Sequence, residues 1–230
     1  MNDDFAYLPI LRRVGVVLIV VGVVDVGVMI YCIVHRIGYA SSFNVFAIIA
    51  GIFLMRGSLR TAATISRFAA FMLAGFLGIV LLWPVYLPPG LALAALRFYP
   101  VRSLAYLAFV VALLAFLFWV VRQLSDEAVL AASARSATKI RSLRGPILAS
   151  SAIVVFIVSM TALGARSDHA KRAEQIAASH VGIGYKLYVT SMRTVRTGKG
   201  RTVSAVVFAW NDQEIRKIPV SWDQDLKPLP

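Results

Sequence analysis

Apolar and polar positions fall into long blocks rather than a mixed pattern. A helix needs about 20 mostly apolar residues to cross a bilayer. Five blocks meet or approach that length: Val14–Val34, Gly38–Arg56, Arg67–Tyr86, Ser103–Val121 and Pro146–Gly164. The first carries one charge, Asp25, and the fourth carries none. The second is weaker at its start, where Ser41, Ser42 and Asn44 interrupt it. Pro84, then Pro88 and Pro89, close the third. Gly145-Pro146 opens the fifth, where a helix start tolerates proline. The first block is too long for the apolar core of a signal peptide and lacks a small-residue cleavage site. It is expected to stay as a transmembrane helix.

The pattern changes after Gly164. Ser167–His180 predicts a helix, with Ala170, Ala173, Ile176 and Ala177 along one stripe. Gly182 and Gly184 end it. Tyr185–Arg196 is rich in strand formers, with Tyr185, Leu187 and Val189 alternating to one face. Thr197-Gly198-Lys199-Gly200 is a turn signal, Arg201–Trp210 a second strand and Asn211-Asp212 a second turn. Ile215–Trp222 makes a third strand, which Pro219 confines to an edge. The expected fold is therefore a membrane all-α bundle of five transmembrane helices with a small C-terminal α+β domain. That domain would hold one helix and a three-stranded antiparallel meander. Its span, residues 165–224, leaves residues 225–230 as a tail. About 55 residues are marginal for an independent core. The domain should lean on the membrane helices, on its own copy or on a partner.

Charge sets the topology. The chain has 24 Lys and Arg against 11 Asp and Glu, a net +13. In a soluble protein that excess would suggest nucleic acid, but 59% of the residues are hydrophobic. Lys and Arg favour cytoplasmic loops. Arg12 and Arg13, then Arg56, Arg60 and Arg67, then Arg122, Arg135, Lys139, Arg141 and Arg144 fall on one side of the five blocks. Only Arg36, Arg97 and Arg102 lie in the opposite loops, before Arg166, Lys171 and Arg172 follow the last block. The richer side should be cytoplasmic. That puts residues 1–13 inside and the C-terminal domain outside. Arginine outnumbers lysine 18 to 6, a bias of GC-rich bacterial genes, so a bacterial plasma membrane is the expected location. Tyr31, Tyr39, Trp83, Tyr86, Phe98 and Tyr99 would line the outer interface, and Phe118 and Trp119 an inner end.

Two loops have character of their own. Leu91–Tyr99 is apolar but too short to span, which predicts an interfacial helix; a re-entrant segment is the alternative. Ser125-Asp126-Glu127 has the composition of a helix start. Beyond it Arg135, Lys139, Arg141 and Arg144 could contact anionic lipid, at about 1 kcal/mol each. They also serve simply as topology determinants. No aromatic residue is interleaved with them, which argues against a nucleic-acid partner.

Candidate chemistry is sparse. Asp25 sits mid-span, where a carboxylate costs about 2.5–3.5 kcal/mol. It shares a helical face with Gly15, Leu18, Gly22, Met29 and Cys32. Small residues on that face admit another helix closely. By depth, Asn44 and Ser159 are its expected hydrogen-bond partners. A lone intramembrane acid makes a poor proton relay, so structural glue is favoured over transport. Cys32 is the single cysteine, which excludes an intrachain disulfide and a cysteine zinc site. The three histidines, His35, His169 and His180, form no haem or zinc pattern. No nucleophile elbow or phosphate loop occurs. No metal or cofactor is expected. Ala70, Ala74 and Gly78, and Ala105, Ala108, Ala112 and Ala115, read as packing stripes. The chain is expected to be a non-enzymatic accessory, assembly or interaction subunit acting through its outer domain, in contact with lipid and with a protein partner or its own copy. A small channel or transporter using Asp25 is the alternative.

Overall fold

The computed structural model describes residues 6–36, 43–136, 142–182, 184–197 and 200–223. The helices are α1 (Tyr7–Val34), α2 (Phe43–Met55), α3 (Leu59–Leu81), α4 (Trp83–Tyr86), α5 (Pro89–Phe98), α6 (Pro100–Leu124), α7 (Glu127–Arg135), α8 (Arg144–Ala165) and α9 (Asp168–Val181). Three strands follow: β1 (Lys186–Thr197), β2 (Gly200–Trp210) and β3 (Ile215–Asp223). Four helices, α1, α3, α6 and α8, are long and apolar enough to cross a bilayer. The second apolar block holds only the 13 residues of α2, about 20 Å at 1.5 Å per residue. Length and composition mark four of the five expected spans, and α2 is a shorter apolar helix in the second block. Residues 37–42 lie outside the described residues. So do the turn residues 198–199 and the tail at 224–230.

By internal contacts the chain forms two compact units, residues 1–76 with 112–151 and residues 77–111 with 152–230. In the first, Leu11, Val14 and Leu18 of α1 share one apolar cluster with Leu54 of α2, Ala62 and Ala69 of α3, Leu117, Val120 and Leu124 of α6, and Val129 of α7. The starts of α1 and α3 therefore meet the ends of α2 and α6. Helix α2 packs antiparallel on α1, glycine on glycine. A Cβ built on Gly15 would lie 2.7 Å from the carbonyl oxygen of Gly51. The turn after α2 uses Gly57 at φ +78°, a left-handed conformation that suits glycine. Ser58 then caps α3, its hydroxyl accepting from the Thr61 N–H at 3.3 Å.

Helix α3 begins eight residues ahead of the block that hydropathy alone marks. Arg60 and Arg67 lower the local hydropathy, yet Ala62, Ala63 and Ser66 between them are buried. Arg67 folds back to donate to the Ala63 carbonyl at 3.0 Å. On α8, a Cβ on Gly75 would meet Ser150 Oγ at 2.9 Å, and one on Gly78 would meet Val154 Cγ1 at 3.1 Å. Residue numbers rise together at these contacts, so α3 and α8 run parallel. Helix α7 starts where the sequence places it: Asp126 accepts from the Ala128 N–H at 3.1 Å.

In the second unit, Ser167 caps α9 through the Ala170 N–H at 3.3 Å. The alanine stripe Ala170, Ala173 and Ala177 is fully buried. It lies on one face of an antiparallel sheet of order β1-β2-β3. Val189, Val203, Ala205, Val207, Val220 and Trp222 complete that core. The register is Leu187 with Ala209 and Val207 with Ile218; a bulge at Thr190 shifts the phase of β1, so that Met192 rejoins this face opposite Ala205. The predicted three-stranded antiparallel sheet is thus present.

Candidate functional site

Asp25 is half-buried on α1, continuing the packed row of Gly15, Leu18 and Gly22. From the contact of Gly15 with Gly51, ten residues up α1 is Asp25. Ten residues back from Gly51 falls before α2 begins, outside the described residues. The side chain of Asn44 lies outside them too. Ser159 is exposed on α8. Of the basic loop, Arg135 ends α7 and Arg144 begins α8, both exposed. Lys139 and Arg141 lie outside the described residues. Among the described residues no three His, Cys, Asp or Glu side chains gather as a metal site would need.

The second face of the sheet is where polar chemistry collects. Strand alternation puts five rungs on it. Lys186, Trp210 and Ile215 form the first, and Tyr188, Phe208 and Lys217 the second. Past the bulge come Ser191, Val206 and Pro219, then Arg193, Ser204 and Ser221, then Val195, Thr202 and Asp223. Helix α5 covers the first two. Its Leu91 and Ala94 pack on Trp210, with Leu87, Phe98, Tyr188, Phe208 and Ile215 around them. The Tyr188 hydroxyl donates to the main-chain carbonyl of Tyr86, just before α5. Helix α5, over the short apolar segment, therefore supplies the support that a 55-residue domain requires.

Among the described residues nothing covers the far rungs. Ser191, Arg193, Ser204, Val206, Pro219 and Ser221 line an open groove of about 650 Å³. Arg193, Ser204, Pro219 and Ser221 are exposed. Thr202 and Asp223 close the end, hydroxyl to carboxylate at 2.9 Å.

At the covered end, side chains lock the corner where β1 and β3 both begin. The Tyr185 hydroxyl donates to Glu214, and Arg216 pairs with the same carboxylate at 2.7 Å. Arg216 also lies 5.8 Å over the Tyr185 ring, a cation–π distance. The hydrogen bond from Tyr185 and then the Arg216 guanidinium hold the Glu214 carboxyl below its ordinary range. The same bond raises the Tyr185 hydroxyl. Asn211 fixes the turn, its Oδ1 accepting from the N–H groups of Gln213 and Glu214, both at 2.8 Å. On α9, burial raises the Glu174 carboxyl.

Beside this corner is a cleft of about 300 Å³. Leu93, Ala94, Arg97 and Phe98 of α5 form one wall, and Lys186, Trp210, Asn211 and Asp212 the other. Sequence reasoning missed this juxtaposition. Sequence reading has Arg97 as a loop cation and Trp210 as a strand end, and 113 positions separate them in the chain.

No protein-family model, curated protein or solved structure matches the chain.

Proposed function

We propose that this chain is a non-enzymatic multi-pass membrane protein that acts as an accessory, assembly or interaction subunit through its C-terminal domain. The observation that carries this is the half-covered sheet. One face is filled by α9, and two rungs of the other by α5, while the groove along Ser191, Arg193, Ser204, Val206, Pro219 and Ser221 stays open. Edge pairing at β3 is the less favoured mode. Pro219 removes one N–H from β3, and the bulge at Thr190 distorts β1, devices that blunt strand edges.

The proposed topology has five crossings, with the N-terminus cytoplasmic and the C-terminal domain outside a bacterial inner membrane. One feature supports it beyond the charge bias. The starts of α1 and α3 share a cluster with the ends of α2 and α6, so α2 returns the chain to its starting level despite its length. With the N-terminus inside, a chain that did not cross at α2 would leave the basic loop 122–144 outside, against the positive-inside rule.

A photo-crosslinking residue at Ser221 or Arg193 in membranes tests the role. Capture of one protein species at those positions and not at Lys171, on α9, is expected. Crosslinking only to lipid at every position, with a monodisperse monomer in mild detergent, would overturn it. A reporter fused after Pro230 that is active only in the cytoplasm would overturn the topology.

A further inference from the structure

We infer that the cleft between α5 and the start of the sheet binds the phosphate headgroup of an anionic membrane lipid. Three observations converge. First, the cleft has two parts. Leu93, Ala94, Phe98 and Trp210 give it an apolar part, and Arg97, Lys186, Asn211 and Asp212 a polar one. A lipid presents the same division at the junction of acyl chain and headgroup. Second, two cations from opposite walls, Arg97 and Lys186, line the cleft together with one acid, Asp212, so the lining carries a net positive charge. Arg97 is held 5.9 Å over the Phe98 ring. Guanidinium and ammonium groups are the usual partners of phosphate oxygens. Third, α5 follows α3 and precedes α6, two of the long apolar helices. That sets the cleft at headgroup depth, where Leu93 and Leu96, 67% and 44% exposed, meet the acyl region. Its volume is at the lower end of small-ligand sites, enough for a headgroup with the acyl chains left outside.

The inference needs only that α3 and α6 enter a bilayer. It does not depend on the accessory role or on which side the domain faces, so either can fail without the other. A soluble phosphate ester would offer the same anion, and the lipid is the source proposed here. The apolar part of the cleft has no use for a soluble ester.

Native mass spectrometry of the full-length protein in mild detergent reads the result. Phosphatidylglycerol and phosphatidylcholine are added at equal concentration. One phosphatidylglycerol should be retained in preference to phosphatidylcholine. Each of Arg97→Gln and Lys186→Gln should weaken retention roughly fivefold, from about 1 kcal/mol per cation near a charged surface. Asp212→Asn should tighten it, an arm that still reads out if the double glutamine variant folds poorly. Lys171→Gln, on α9, should change nothing. Equal retention of the two lipids by the parent would overturn the inference. So would an unchanged preference in the double variant, or a loss in Lys171→Gln as large as in that variant. Displacement of the lipid by glycerol 3-phosphate at equal concentration would show a soluble ester to be the ligand and would also overturn it.

Discussion

Gly15 and Gly51 bring the backbones of α1 and α2 into contact. Each is the other's nearest obstacle: a Cβ on Gly51 would lie 2.6 Å from the Gly15 carbonyl oxygen, and one on Gly15 2.7 Å from that of Gly51. No side chain fits there without moving a helix. Lipid tails are as apolar as leucine, so membrane helices associate through such close packing rather than through water exclusion. Gly51→Leu should lower the thermal midpoint in detergent, at the ~1–3 kcal/mol that overpacking costs. Gly27→Leu is the control, because nothing lies within 4 Å of its Cβ. Equal losses in the two variants would show that the contact does not hold the hairpin.

Trp210 joins α5 to the sheet. It is 7% exposed and packs with Leu91 and Ala94. Removing a buried tryptophan side chain costs about 3–5 kcal/mol. The loss should be local, because α9 covers the opposite face with a separate core. In Trp210→Ala, amide hydrogen exchange should accelerate across residues 89–98 and at the ends of β2 and β3. The α9 amides should keep their protection. Acceleration spread evenly over α9 and all three strands would mean that the two cores unfold as one.

How much of this was legible in the sequence depends on range. Local signals are legible: the helix starts at Ser125-Asp126-Glu127 and at Ser167, and the stripe Ala170, Ala173, Ala177, need only residues a few positions apart. The strands followed too, since Leu187 and Val189 alternate as a half-buried strand must. Thr190 is a different case. A bulge inserts one residue without a sequence mark of its own, so the phase shift that returns Met192 to the core stayed hidden. The early start of α3 was hidden because hydropathy averages the buried Ala62 and Ala63 with Arg60 and Arg67. The α5 cleft was the least legible, since Arg97 and Lys186 come to line one cleft only after the chain has passed through α6 and α8. For Asp25, the shared face with Gly15 and Gly22 was readable and its partner was not.

Glu214 should make the domain acid-sensitive. Tyr185 and Arg216 bond its ionised form and depress its pKa. A carboxyl depressed in the folded state adds stability above its unfolded value, about 4.3. That contribution disappears as pH falls through the lower folded value. Glu214→Gln should therefore lie below the parent in thermal midpoint at neutral pH and converge with it in acid. A gap that persists in acid would assign the effect to packing rather than to charge.

Glu174 should behave in the opposite sense. Burial raises its pKa, so the folded state holds the proton more tightly than the unfolded chain. Its favourable contribution is present below the unfolded value and is lost as pH rises through the raised one. Glu174→Gln should melt higher than the parent at neutral pH, with the difference closing in acid. A lower melting point for the variant at neutral pH would mean that the carboxylate has an attractive partner that outweighs its burial.

Asp25→Asn separates structural glue from transport. The amide keeps a hydrogen-bonding group of the same shape and removes the charge, whose insertion at a helix centre costs about 2.5–3.5 kcal/mol. Asp25 sits on the packed row of α1 with Gly15, Leu18 and Gly22. Under the structural-glue reading Asp25 serves contact between helices, and contact needs the hydrogen bond rather than the negative charge. The variant should keep its membrane abundance and its thermal midpoint, and proteoliposomes containing it should leak protons no differently from those with the parent. Asp25→Leu, which removes the bond as well, should lower the midpoint. A parental proton leak that disappears in Asp25→Asn, at unchanged abundance and midpoint, would put the carboxylate in a transport pathway and displace the accessory role.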